Sequence, residues 1–289
     1  MDIVNLGVGI LFDGVAYGMV LYVIAVGLSV TMGLLGIANL AHGVFAMAGG
    51  YVALSLMNNA GAPFWVALVA SFVAVALFSI VLERLLYRHL YDAGELEQTL
   101  LSIGLIFVAT AVAHFVFGPL PQRVDIPHAI SGQLTFFGET FPTYRAFLIV
   151  VGFVLFVGLW LGLDRTMIGA RIRAAVDNRS MAQCLGIDTN LLFMLVFAFG
   201  SGLAALGGSL GADIIAIAPG YAMEQLVYFL IVVAVGGLGT IRGPFVAALL
   251  LGLGDTACKM LVPQFGAFFV YAAVLVVLLL KPAGLFGKA

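Results

Sequence analysis

Ser29 and Ser201, with His42 or His114, are the residues of this sequence that could supply a nucleophile and its base. That chemistry needs the serine on a tight turn of the G-x-S-x-G kind. Gly27-Leu28-Ser29-Val30-Thr31 lacks the closing glycine, so acyl transfer has no framework. Cys184 and Cys258 lie far apart with no C-x-x-C, which points to neither a disulfide framework nor a metal site. No G-x-x-x-x-G-K-[ST] is present, and the one Gly-Lys, Gly287-Lys288, is followed by Ala289. A phosphate cradle is therefore missing. Gly252-x-Gly254-x-x-Ala257 matches a loose dinucleotide fingerprint but sits in an apolar run with no strand before it. No cofactor, no metal and no catalytic residue is expected. Among the acids, Asp213 and Glu224 flank a Pro219-Gly220 turn and read as loop residues, while Asp255 stands four residues before Lys259 and is expected to pair with it. His42, close to Asn39, reads more readily as a paired histidine inside a bundle than as a ligand.

The elements that must hold these residues follow from where charge is absent. A charge at the bilayer centre costs at least ~2.5 kcal/mol. The window Gly14–Leu82 spans 69 residues without Asp, Glu, Lys or Arg. It splits at Gly33–Gly36 and at Asn58–Pro63, both rich in turn formers. Further windows are Gln98–Gln122, Ala146–Leu163, Thr189–Ala212, Gln225–Ile241 and Met260–Leu280, and Gly243–Gly254 is expected to extend to Met260. With 63% hydrophobic and 9% charged residues over 289 positions, and a mean hydropathy of +1.19, the chain lacks the polar surface of a soluble domain. A soluble enzyme, a nucleic-acid binder and a disordered scaffold are excluded. The windows have no dyad alternation and read as helices rather than barrel strands. The expected fold is all-α: one polytopic transmembrane bundle over residues 1–289 with about 8–9 segments, some broken or re-entrant.

Basic residues set the orientation. Arg84 and Arg88, the four arginines at 165, 171, 173 and 179, and Lys281 with Lys288 mark the cytoplasmic side. The loop Gly118–Tyr144 has Arg123 as its one basic residue and is expected outside. Met1–Gly14 has no basic n-region and does not read as a cleavable signal. Gly14-x-x-x-Gly18, Gly158-x-x-x-Gly162 and Gly207-x-x-x-Gly211 are expected to make close helix contacts.

Seven of the 26 charged residues crowd into Asp164–Asp188, DRTMIGARIRAAVDNRSMAQCLGID. The stretch reads as a short amphipathic helix along the membrane, ending near Gly186. Its length and mixed charge favour a docking surface over a mere positive-inside anchor. Asn178-Arg179-Ser180 matches a glycosylation triplet, a coincidence in a cytoplasmic loop. Ser180-Met181-Ala182 followed by Gly186 resembles the coupling loop of ABC importer permeases, with the motif's Glu and first Ala replaced. The surrounding Arg173–Gly208 sequence resembles branched-chain amino acid ABC transporter permeases of the LivH type. GLLGIANLAHGVFAMAGGYVA (Gly33–Ala53), GGLGTIRGPFVAALLLGLGD (Gly236–Asp255) and VLLLKPAGLFG (Val277–Gly287) resemble other blocks of that family, in order. The short chain and its immediate start with a span favour the LivH over the LivM branch.

This resemblance implies a permease subunit of a bacterial inner-membrane importer, without an ATPase of its own. It implies as partners a second, LivM-like permease, two cytoplasmic ATPase subunits and an extracytoplasmic substrate-binding protein. It implies uptake of branched-chain amino acids by alternating access; relatives with this pattern also serve urea, amides or small carboxylates. The coupling loop would include Arg173, Asp177, Ser180, Met181, Ala182 and Gly186. Beside the resemblance, glycines that interrupt membrane-depth sequence point to a pathway, because broken helices expose backbone amides and carbonyls. Gly36, Asn39, His42, Gly43, Gly49 and Gly50 form one such group. Gly236, Gly237 and Gly239 precede its echo, HGVFAMA at 42–48 paralleling RGPFVAA at 242–248. A stand-alone secondary transporter remains the weaker reading, since no span has the dense charge series of ion coupling.

Overall fold

The computed structural model describes residues 3–35, 39–90, 93–127, 130–136, 139–281 and 284–286. Its helices are α1 (Ile3–Leu35), α2 (His42–Ala60), α3 (Phe64–Leu85), α4 (Glu95–Phe117), α5 (Thr143–Arg165), α6 (Met167–Asp177), α7 (Arg179–Cys184), α8 (Thr189–Gly211), α9 (Tyr221–Gly236), α10 (Arg242–Leu261) and α11 (Gly266–Leu280). Six of them, α1, α3, α4, α5, α8 and α10, are long and apolar enough to cross a membrane. In α1 and α8 the most apolar stretches are 83% and 72% buried, against 17% in α4 and α5. The first pair is therefore the centre of the bundle, and the second pair forms its lipid-facing rim.

Small residues let the central backbones touch. A methyl group on Gly208 of α8 would fall on the Ala46 backbone of α2, and one on Gly49 would fall on that of Ala205. Gly14 and Gly18 admit α10 to α1 in the same way. Such contacts are how helices associate where lipid is as apolar as leucine.

Contacts fix the direction of each helix. The end of α1 meets the start of α10 through Ser29, whose hydroxyl donates to Thr240 O at 2.8 Å. At the opposite end Asp13 of α1 pairs with Arg145 of α5, and the Tyr144 hydroxyl donates to Leu210 O at the end of α8. Helix α2 starts beside Tyr87 and reaches the far end, where Tyr51 stacks on Phe117 with centroids 4.1 Å apart. Helix α3 returns, with the Ser209 hydroxyl donating to Ser71 near one end and Arg84 beside Met194 near the other. Nine helices among the described residues thus alternate in direction. The arginine-rich stretch and the turn after α11, whose Leu285 N donates to Val235 O at 2.7 Å, share one end.

Four expectations change. The stretch 164–188 is two helices, not one: Asn178 adopts an extended conformation (φ −153°, ψ 95°), and its side chain accepts from Met181 N at 2.9 Å, starting α7 anew. Asparagine caps a helix more readily than it continues one. The last window begins at Gly266 rather than Met260, because α10 runs to Leu261 and a short turn, Pro263–Phe265, separates it from α11. Gly158 and Gly162 touch nothing within 4 Å, so that pair makes no close contact inside the chain. The loop between α4 and α5 also carries a small antiparallel hairpin, β1 (Gln133–Phe136) with β2 (Glu139–Pro142), Leu134 opposite Phe141.

Candidate functional site

The glycine-interrupted segment starts a helix inside the bundle. Ile24 lies about 13 Å along α1 from Gly33 at 1.5 Å per residue, and His42, the first residue of α2, meets α1 at that level. Irregular backbone at membrane depth is tolerated where protein buries it, and Asn39, Ala41 and His42 are all buried. The His42 Nε2 lies 2.9 Å from Ile24 O, so this histidine is paired within the bundle as its position suggests. Asn39 Oδ1 accepts from the buried Tyr87 hydroxyl at 2.8 Å. Asn39 Nδ2, His42 Nδ1, Ser201 Oγ and the Tyr221 hydroxyl have no hydrogen-bond partner among the described residues. Gly43 abuts Ala222 at the start of α9, Gly49 the backbone of α8 and Gly50 the side chain of Ile217. Gly36 lies outside the described residues.

The echo segment occupies the corresponding register. Arg242, like His42, is the first residue of its helix, and a methyl on Gly243 would meet Gly236 O. Gly237 and Gly239 take positive φ (98° and 74°), the left-handed region that other residues enter at a cost. Gly239 also sits against Gly33 of α1 and lines a cleft of about 320 Å³. That cleft's other wall is Gly169, Ile172 and Arg173 of α6. The two glycine groups are thus separate places joined through α1.

The 164–188 segment is clamped to the bundle at both ends. Thr166 caps α6 by accepting from Gly169 N, and Arg173 donates to Leu163 O at the end of α5. Asp164 pairs with Arg242 at 3.3 Å, and that guanidinium lies over the Trp160 ring. Ile172 packs with Val30 of α1 and Val196 of α8; Ala175 and Ala182 pack with Phe193. Arg179 donates to Asn190 Oδ1 at 2.9 Å and Gln183 Nε2 to Thr189 Oγ1 at 2.8 Å. Asp188 caps α8, accepting from Asn190 N and Leu191 N. Of the residues singled out from sequence, Ala182 is buried in this anchor and the Arg173 guanidinium turns back onto Leu163 O, whereas Asp177, Ser180, Met181 and Gly186 are exposed. Sequence reasoning missed Met167, Ile168 and Leu185, which are 72%, 64% and 73% exposed. They give the outward side of α6 and α7 an apolar part beside its charges. Their signal was present in the 164–188 stretch, masked there by attention to charge.

A bundle of alternating apolar helices, six of them long enough to cross a membrane, with a clamped two-helix segment at one end defines a multi-pass membrane protein. Residues 10–279 match the family described as the permease component of branched-chain amino acid transport systems, and the chain belongs to that family. It is 29% identical to the high-affinity branched-chain amino acid permease BraD of Pseudomonas aeruginosa, covering 96% of this chain and 95% of BraD. It is 26% identical to LivH of Escherichia coli K12 over 96% and 94% of the two chains. A probable LivH of Methanocaldococcus jannaschii is 27% identical, with 98% and 94% covered. In fold alone it resembles PsaBC from Streptococcus pneumoniae, at a TM-score of 0.51 and 12% identity over 95% of this chain and 92% of that one.

Proposed function

We propose that this chain is the membrane-spanning subunit of an ATP-driven importer of branched-chain or related amino acids in the bacterial inner membrane. Its partners would be a second permease, two cytoplasmic ATPase subunits and an external binding protein that delivers substrate. The observation that carries this reading is the outward face of α6 and α7. It is polar and apolar at once, lies at the arginine-rich end of the bundle, and is clamped to α1, α5 and α8. A push on it would be passed to α8, and from α8 through the Gly49 and Gly208 contacts to α2. Substrate would move past the buried start of α2, where Asn39 and His42 leave polar atoms free.

Reconstituted with those partners in vesicles, the wild-type chain is expected to take up leucine only when ATP is supplied. Asn39→Leu and His42→Leu are each expected to lower that uptake about tenfold, the effect of losing one buried polar contact of ~1.4 kcal/mol, while the ATPase subunits still co-purify. Wild-type kinetics in both variants would move the pathway away from the start of α2.

A further inference from the structure

At the outer end a second cleft, of about 530 Å³, opens between α1, α5, α9 and α10. Its size falls inside the roughly 300–1,000 Å³ range of small-molecule pockets. Two ion pairs stand in its walls. Arg145 of α5 pairs with Asp13 of α1, and Lys259 Nζ lies 2.6 Å from Asp255 Oδ2 on α10. The paired charges sum to zero. Asp255 is 2% exposed, and among the described residues neither its second oxygen, Oδ1, nor Gln225 Oε1 has a partner. Both free atoms are acceptors, and both residues line the cleft. Ile214, Ile215 and Met260 supply an apolar wall. An ionisable residue buried at membrane depth is costly and marks a functional place by default.

We infer that this cleft is the first station of the pathway and binds the zwitterionic head of an aliphatic α-amino acid. The ammonium group donates to Asp255 Oδ1 and Gln225 Oε1, which are buried beneath the cleft surface and turn toward it as the ligand enters. The carboxylate faces Lys259 and Arg145, and the aliphatic side chain rests on Ile214, Ile215 and Met260. A site with balanced charge favours a zwitterion over a small carboxylate, which would meet two acids, and over urea, which offers no charge to the two cations.

The inference rests on the reading of the chain as an amino-acid permease, and the test separates the two. Leucine uptake is measured in vesicles bearing the assembled importer with wild-type, Asp255→Asn or Gln225→Leu chains at matched membrane levels. In parallel, Thr256→Cys in a chain carrying Cys184→Ser and Cys258→Ser is treated with an impermeant thiol reagent. Leucine, 3-methylbutylamine or 4-methylpentanoate is present in turn. Both uptake variants are expected to fall about tenfold at subsaturating leucine, the loss of a charge-assisted hydrogen bond. Leucine alone is expected to slow the thiol reaction. Unchanged uptake in both variants, or equal protection by all three compounds or by none, overturns the site. If a variant fails to reach the membrane, the protection pattern decides. A wild type that takes up no leucine overturns the underlying reading instead.

Discussion

Gly186→Arg is expected to abolish ATP-driven uptake while leaving the permease in the membrane at its normal level. Gly186 ends α7 with φ +80°, and the turn is closed by Ile187 N to Ala182 O at 3.1 Å and Gly186 N to Gln183 O at 3.0 Å. An L-residue held in that left-handed conformation costs about 1–2 kcal/mol. The position is exposed and a Cβ there would meet nothing within 4 Å, so the strain stays local and does not reach the bundle. The turn sets the course from α7 into α8, and a long cation there would also project beside exposed Met181 and Leu185. Gly186→Asn is expected to retain most of the uptake, because asparagine enters the left-handed region at little cost. ATP-driven uptake by right-side-out vesicles loaded with ATP, alongside immunoblots of membrane content, separates the variants. Full ATP-coupled uptake by Gly186→Arg would remove the segment from the coupling role.

The largest effect on stability is expected from Gly208→Leu. The added side chain would begin on the Ala46 carbonyl, with α2 and α8 both buried at that level. Overpacking ordinarily costs 1–3 kcal/mol when side chains can shift. Here backbone meets backbone, so a loss of at least about 3 kcal/mol is expected. The detergent-solubilised protein should aggregate on heating well before wild type. Gly158→Leu, by contrast, is expected to change stability by no more than about 0.5 kcal/mol, since Gly158 is exposed and a Cβ there would meet nothing within 4 Å. Heating followed by size-exclusion chromatography reads both. A Gly158→Leu chain as unstable as Gly208→Leu would contradict this picture of which helix faces pack.

Glycines show why the sequence was legible only in part. The spans could be read from charge-free windows because hydrophobic length is local, and α1, α2 and α3 fall where the turn residues divide Gly14–Leu82. The Asp255–Lys259 pair was legible because spacing of four places two side chains on one helix face. Gly158-x-x-x-Gly162 looks the same as Gly207-x-x-x-Gly211, yet only a neighbour's position decides whether a glycine is touched. The break at Asn178 was written in a residue that prefers caps, but the amphipathic pattern runs across it. The outer cleft was illegible because Asp13 and Arg145 are 132 positions apart in sequence and meet only when α1 and α5 pack. Gln225 carries no signal in the sequence, because only the packing of α9 and α10 puts it in one cleft with Asp255.

The central claim is that energy enters through α6 and α7, and the native thiol of Cys184 at the end of α7, exposed to solvent, offers a direct reporter. A photoreactive maleimide is attached to Cys184 in membranes holding the uptake-competent importer, with Cys258→Ser removing the other thiol. Illumination is expected to join Cys184 to an ATPase subunit, with a yield that changes when ATP is added. Uptake-competent membranes in which Cys184 joins no ATPase subunit, with or without ATP, would contradict the account.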